Sequence, residues 1–220
     1  MKERPIIFSA PMVRTILEDR KNMTRQVINY LPGFRMITEF KPSDTPGYKW
    51  TFRDIQMMWH DIKELECPYG KPGDRLWVKE TFATKSLVGN SIMSYPIYRA
   101  DGERMGVKWA PSIHMPRWAS RILLEITDVR VDRLQDITEE DAIAEGIKKL
   151  SKDNGRTWKY GIPDNDGLPG NDNHGWPWQE WCNTPIDAFR KLWDSINSAR
   201  GYGWKENPWV WVIEFRRIEK

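Results

Sequence analysis

Lys21 and Thr24 stand three residues apart in the stretch ILEDRKNMTRQVI, residues 16–28, with Arg20 and Arg25 beside them. A threonine hydroxyl becomes a nucleophile when a base within hydrogen-bond reach takes its proton. A lysine can be that base only if burial brings its pKa well below the free value near ~10.4. Without such tuning, a hydroxyl among three cations reads as a phosphate clamp. The plainest reading is a solvated helix end followed by a strand. The residue types alone leave the three readings open.

The stretch lies at the join of two elements. RPIIFS reads as a short apolar strand. SAPMVRTILEDRK follows as a helix, with Ser9 at its N-cap, Pro11 in its first turn, and Met12, Val13, Ile16 and Leu17 on one face. MTRQVINY begins a new strand. Further on, RLWVKETF alternates, with Leu76 and Val78 on one face and Trp77 and Lys79 on the other. YPIYRAD is a second candidate strand. A long strand is expected from about Arg121 to Leu134. Thr138 then opens a T-x-x-D start to the helix DITEEDAIAEGI, which Gly146 stops. TPIDAFRKLWDSINSAR is an amphipathic helix capped by Thr184, with Ile186, Phe189, Leu192, Trp193 and Ile196 as its apolar stripe. NPWVWVIEFRRI closes the chain as a nearly continuous apolar strand.

Residues 31–66 and 148–183 break this pattern. The first span is rich in Pro and Gly and reads as a loop insertion; the second is polar, with many Gly, Asn, Asp and Trp. WKYGIPDNDGLPGNDNHGWPWQEW within it reads either as an aromatic lid or as a surface loop packed by its own tryptophans. Few helices and many dispersed strands predict one α+β domain with a mixed sheet, curled into a small barrel and carrying two loop-rich insertions.

Composition narrows the function classes. Lys and Arg number 34 and Asp and Glu 31, a net charge of +3 over 220 residues, too balanced to argue by itself for nucleic-acid binding. Cys67 and Cys182 are far apart and the three histidines are scattered, so no zinc site is expected. No apolar run is long enough to span a bilayer, and the first twenty residues lack the apolar centre of a signal peptide. A soluble, cytoplasmic chain with reduced cysteines and no cofactor is the expectation.

Four segments carry a resemblance to the ASCH-domain family of the PUA-like superfamily, in the longer form often found in phages and prophages. The family pattern G-x-K-x-x-[ST]-x-R falls on Asp19, Lys21, Thr24 and Gln26. KPGDRLWVKETF resembles the family's G-D turn and strand, ITEEDAIAEGI its helix after the long strand, and NPWVWVIEFRRI its closing strand. Together they cover about half of the chain. The resemblance implies a PUA-like β-barrel with flanking helices. It also implies a site like that of small bacterial amidohydrolases that deacylate N(4)-acetylcytidine and related N(4)-acylated cytosines. The family's Lys, Thr and Glu then match Lys21, Thr24 and Glu145. Other branches bind RNA, and one has been assigned nuclease activity, so RNA or single-stranded DNA is the alternative partner. Asp19 replaces the usual Gly and Gln26 the usual Arg.

With Glu145 included, two assignments compete. Neutral Lys21 is the base and Glu145 orients it, or Glu145 is the base and cationic Lys21 stabilises the oxyanion. A shared Lys21–Glu145 proton relay acting on Thr24 is favoured. Substrate contacts are expected from Arg20 and Arg25 to phosphate, from Trp77 by stacking, from Glu80 to an exocyclic amine, and from Arg117 beside the barrel mouth.

Overall fold

The computed structural model describes all residues except 29–36, 47–49, 63–65, 87–93, 103, 165–166, 171–174 and 219–220. In chain order its strands and α-helices are β1 (Glu3–Ile7), α1 (Ala10–Leu17), β2 (Met23–Val27), β3 (Ile37–Pro42), β4 (Trp50–Asp54), β5 (Trp59–Ile62), β6 (Arg75–Lys79), β7 (Phe82–Ser86), β8 (Ser94–Tyr98), β9 (Leu123–Arg133), α2 (Glu139–Ala144), β10 (Lys148–Leu150), β11 (Lys159–Gly161), α3 (Pro185–Asn197) and β12 (Trp209–Ile218). The fold is mixed α+β, mostly strands with few helices. No helix among the described residues is long and apolar enough to cross a membrane.

The central sheet has the order β1-β6-β9-β12-β2. β1 runs parallel to β6 and the other neighbours are antiparallel. β12 is the middle of the structure because both of its faces are apolar. Trp209, Trp211, Ile213 and Phe215 join one cluster with Ile6, Phe8, Val13, Ile16, Leu76 and Val78. Val210 and Val212 join a second with Met23, Leu134, Ala142, Ile147, Phe189 and Trp193. The sheet is thus covered on one side by α1 and on the other by α2 and α3. Thr138 and Thr184 cap α2 and α3 as expected, each hydroxyl accepting at 3.1 Å from the N–H three residues on. Ser9 stands at the start of α1 but its side chain makes no capping bond.

The expected barrel is not closed among the described residues: the sheet order ends at β1 and β2, with no ladder joining them. Arg75 donates to the Lys2 carbonyl and Phe8 donates to that of Lys79. By parity, Arg4, Ile6 and Phe8 turn their backbone to β6, and Glu3, Pro5 and Ile7 turn theirs to the open edge. Pro5 has no N–H to offer there, which blunts the edge against a further strand. The sheet still curls, since Pro5–Phe8 and Thr24–Val27 line one cleft.

Residues 31–66 hold more order than the loop expected from their Pro and Gly content. Their described part is a three-stranded antiparallel sheet, β3-β4-β5. Ile37 is buried, and Phe40, Trp50, Phe52 and Ile62 pack on the first cluster. In the second insertion β10 and β11 form a hairpin, Tyr160 bridges to Cys182, and Trp181 is buried against Gly161. No described residue of 148–183 lines the cleft, and the described part of the segment packs as an ordered surface loop.

Gly146 sets the approach of α2 to α1. Its φ is +105°, and a Cβ there would lie 2.8 Å from Thr15 Oγ1. Both the backbone angle and the contact exclude a larger residue. Gly146→Ala is expected to lower stability by at least ~1 kcal/mol, read as a drop in the denaturant midpoint at unchanged slope.

Candidate functional site

α1 ends at Leu17, and the chain turns through Asp19 at φ 53°. That is the left-handed conformation for which glycine is the usual residue, and Asp is one of the few others that adopt it. The Asp19 carboxylate is held by Arg217 at 2.9 and 3.1 Å. The backbone N–H groups of Arg20 and Lys21 then both donate to the Thr15 carbonyl, and β2 begins.

Residues 20–22 cap the C-terminus of α2. Asn22 N–H donates to the Ala144 carbonyl at 3.1 Å. Lys21 Nζ donates to that of Glu145 at 2.9 Å and Arg20 to that of Gly146 at 3.1 Å. Three consecutive carbonyls at the negative end of a helix thus meet three consecutive donors, two of them cationic. This docking carries Glu145 to Lys21 across 124 positions of sequence: Lys21 Nζ and Glu145 Oε2 lie 2.6 Å apart, with side chains 0 and 3 % exposed.

The ammonium of Lys21 has a third acceptor in the Met23 carbonyl at 2.7 Å. Its three donors are therefore all directed at oxygens, the arrangement of a charged lysine. Burial lowers its pKa from the ordinary lysine value; the Glu145 carboxylate opposes this, and the Arg25 guanidinium adds to it. Glu145 is shared: Oε1 accepts from Arg25 Nη1 at 3.4 Å. Arg25 is pinned by Asp141 at 2.5 Å, and Asp141 also meets Arg130 at 3.2 Å.

A cleft of about 750 Å³ opens beside this cluster, within the range of small-molecule sites. Thr24, Arg25 and Glu145 line it and Lys21 does not. Lys21 thus lies behind the carboxylate. Thr24 and Arg25 point to opposite sides of β2, as alternation requires: Thr24 pairs across with Ile213 of the first cluster and Arg25 with Val212 of the second. Both border the cleft because it runs along the open edge of the strand. Phe8 and Met12 line it on one side, and Phe189, Leu192, Trp193, Ile196, Asn197 and Arg200 of α3 and the turn after it on the other. Ile196, expected in the buried stripe, is 42 % exposed at this wall.

The remaining expected contacts are elsewhere. Arg20 is taken up by Glu18 and the Gly146 carbonyl. Glu80 is 1 % exposed, and both its oxygens are held by Arg121 at 2.9 and 3.0 Å. Burial raises its pKa against the pull of that guanidinium. It therefore has no free edge for an exocyclic amine. Arg117 pairs with Glu3 at 2.9 Å and lies over Trp77, which Lys79 also approaches. Trp77 and Arg117 do not line the cleft, although Lys79 does. Gln26 accepts from the Tyr69 hydroxyl at 3.1 Å. Sequence reasoning missed Asp141, Tyr69 and the α3 wall. Asp141 had one signal, its place four residues before Glu145 on the same helical face. Among the described residues no group of three or more His, Cys, Asp or Glu is placed to hold a metal ion.

Comparison of the chain with protein-family models, with curated proteins and with solved structures gave no match.

Removing one member of a buried ion pair strands the other. Lys21→Met is expected to cost ~3–5 kcal/mol of stability, whereas Lys21→Met combined with Glu145→Met should recover most of that loss. Chemical denaturation of both single variants and the double variant measures the coupling. Additive losses would show that the pair is not coupled.

Proposed function

We propose that the chain is a PUA-like protein of the ASCH type that hydrolyses the amide of N(4)-acylated cytosine nucleosides or related modified nucleotides. The observation that carries this reading is the 2.6 Å contact of Lys21 with Glu145 beside a cleft that Thr24 also lines. These are the three residues the family resemblance selects, and Glu145 comes from a part of the chain distant from the other two. The curled sheet with a cleft between its edges supports the finer fold assignment.

In this proposal Glu145 is the base that faces the substrate. Thr24 Oγ1 attacks the acyl carbon and its proton passes to Glu145. The tetrahedral adduct collapses with cleavage of the C–N bond, and Glu145 returns the proton to the leaving exocyclic amine. Water then attacks the acyl-threonine, Glu145 takes its proton and returns it to the leaving Thr24 Oγ1, and the carboxylic acid is released with the free hydroxyl and the Glu145 carboxylate restored. Lys21 stays cationic behind Glu145 and positions it through the shared hydrogen bond. The two members of the pair stand in unequal places: Glu145 at the cleft, Lys21 behind it.

Incubation with N(4)-acetylcytidine is expected to release cytidine and acetate. Glu145→Gln should lower kcat by roughly 10²–10⁴, and Thr24→Ala should abolish acyl-enzyme formation seen by mass spectrometry. Wild-type turnover in Thr24→Ala would leave activated water as the nucleophile and remove Thr24 from the mechanism.

A second reading, a non-catalytic module for RNA or a single strand, is favoured by one surface feature. Lys79 and Arg117 lie over the Trp77 ring at 5.6 and 5.8 Å from its centroid, and Lys79 lines the cleft. Aromatic rings among cations suit stacked bases and phosphates. That reading expects oligonucleotide affinity that falls steeply with salt and no turnover of acylated cytidine.

A further inference from the structure

The wall that α3 gives to the cleft has an order along it. Phe189, Trp193, Ile196 and Arg200 recur at spacings of four, three and four, so they share one face of the helix and of the turn after it. Phe189 stands at the chemical end, where the Arg25 guanidinium lies 5.8 Å from its ring centroid and also meets Glu145. Arg200 stands at the other end, beside Tyr69. Burial raises the pKa of the Tyr69 hydroxyl, and the nearby Arg200 charge opposes this. Tyr69 in turn donates to Gln26 Oε1, two residues along β2 from Thr24. Helix and strand thus both lead from Thr24 and Glu145 to a group made of Gln26, Tyr69 and Arg200.

The donors of that group are not used up within the protein. Arg200 is exposed and makes one long bond, to Asn197 Oδ1 at 3.5 Å; among the described residues no carboxylate pairs with it. Gln26 gives its carbonyl oxygen to Tyr69, and its amide N–H groups have no partner among the described residues. Of the described residues that line the cleft, Glu145 is the sole carboxylate, and Lys21 and Arg25 already hold it. A guanidinium fork beside a neutral amide donor, with no counter-charge, suits an anion. Lys79, the other cation at the cleft wall away from Glu145, lies at the opposite end. Its carbonyl accepts from Phe8 N–H, its ammonium donates to the Ile113 carbonyl, and the Phe8 ring centroid is 5.7 Å from Lys21 Nζ.

C4 and N1 of a pyrimidine lie across the ring from each other. A cytosine whose N(4)-acyl group meets Thr24 and Glu145 therefore sends its ribose away from them. Within the cleft that direction leads toward Arg200, because Lys79 lies on the Lys21 side. Eleven residues separate Phe189 from Arg200, roughly 16–18 Å of helix rise. The arginine side chain reaches back over part of that span and leaves room for a base and a ribose. Trp193 and Ile196 between them are apolar, as the face of a base and a sugar require, and Ile196 is 42 % exposed there. We propose that the ligand of the cleft is a nucleoside monophosphate, with its phosphate monoester held by the Arg200 guanidinium and the Gln26 amide. One cation at this end matches one phosphate, whereas a strand calls for a basic groove along its backbone. The inference rests on the acylated-cytosine reading of the cleft, and it adds that the substrate is phosphorylated on its ribose and where that phosphate binds.

The test is a calorimetric titration of the full chain with cytidine, cytidine 5′-monophosphate and cytidine 3′-monophosphate, beside turnover of the N(4)-acetylated form of each. One of the two monophosphates is expected to bind about tenfold or more tighter than cytidine, the worth of a charge-assisted contact, and its acetylated form to show a similar gain in kcat/KM. The 5′ and 3′ arms tell which hydroxyl carries the phosphate. Arg200→Gln should bring the ratio of the two Kd values close to one, and Arg200→Lys should keep part of it. Gln26→Glu keeps an acceptor for Tyr69 and should also lower the ratio; a thermal melt reports whether it folds. Equal binding of cytidine and both monophosphates overturns the inference. So does a preference that survives Arg200→Gln, or one that Lys79→Met abolishes in its place, or a cytidine oligonucleotide that displaces the monophosphate at lower concentration. In each of these cases hydrolysis of N(4)-acetylcytidine leaves the proposed function standing. Monophosphate binding that depends on Arg200, with no acetylated form hydrolysed, upholds the phosphate site and sinks the amidohydrolase. If no cytidine compound binds or turns over, both fall.

Discussion

The structure depends on a lysine ammonium that has been taken out of water. Lys21 is buried at the meeting point of α1, β2 and α2, with three oxygens around its nitrogen. Burying an ion costs several kcal/mol, even after relaxation. Here the cost is offset by the Glu145 carboxylate and two carbonyls, one of them at a helix C-terminus where a cation is favoured. Such an arrangement fixes geometry tightly, because shifting either helix end by an ångström leaves a charge unpaired. It does little for stability that two well-packed apolar side chains would not do as well. The packing of this corner therefore follows from the ion pair, which also sets Glu145 at the cleft.

What it places there follows from the edges of the sheet. A closed barrel would have hidden the outward backbone of β1 and β2 in a ladder. The chain instead carries a proline at the middle of β1, with no donor to contribute, and sends β2 and β1 to opposite ends of the strand order. Curling brings those ends to a common cleft without joining them. The apolar wall on one side comes from α3, whose Phe189 and Trp193 belong to the second core cluster. Part of the cleft wall is thus made of core residues.

Much of this was legible in the sequence, and unevenly so. The strand at RLWVK and the capped helices at Thr138 and Thr184 were readable because period and capping chemistry are local. The meeting of Lys21 with Glu145 was readable only through the resemblance, since nothing in either segment states a partner 124 positions away. Alternation correctly put Thr24 and Arg25 on opposite faces. It gave no hint that a cleft along the strand's edge would touch both, because an edge exists only once the neighbours are known. The β3-β4-β5 sheet was hidden by Pro and Gly on either side of short alternating runs. Glu80 shows a related limit: its partner Arg121 comes from 41 residues further on, and a carboxylate beside a strand looks available until that cation is found.

On the proposed ASCH reading, the departures from that family's pattern can be read in the same terms. A cation two residues after Thr24 would share its face, pointing toward α1 and Tyr69. Here that position is Gln26, and its side chain is occupied by the Tyr69 hydroxyl. The cation stands one residue earlier, at Arg25, and therefore faces α2. From there it reaches Glu145 Oε1 while Asp141 holds its other arm and Arg130 holds Asp141. The carboxylate at the cleft is thus gripped from two sides, by Lys21 on one oxygen and Arg25 on the other. An exchange of position along a strand is an exchange of face, so the displaced cation is not an equivalent of the lost one. It removes a charge from the Thr24 side and adds one to the support of the carboxylate. On the Thr24 side the cleft is bordered by the Thr24 and Tyr69 hydroxyls and the Gln26 amide, and the cations Lys79 and Arg200 line it as well.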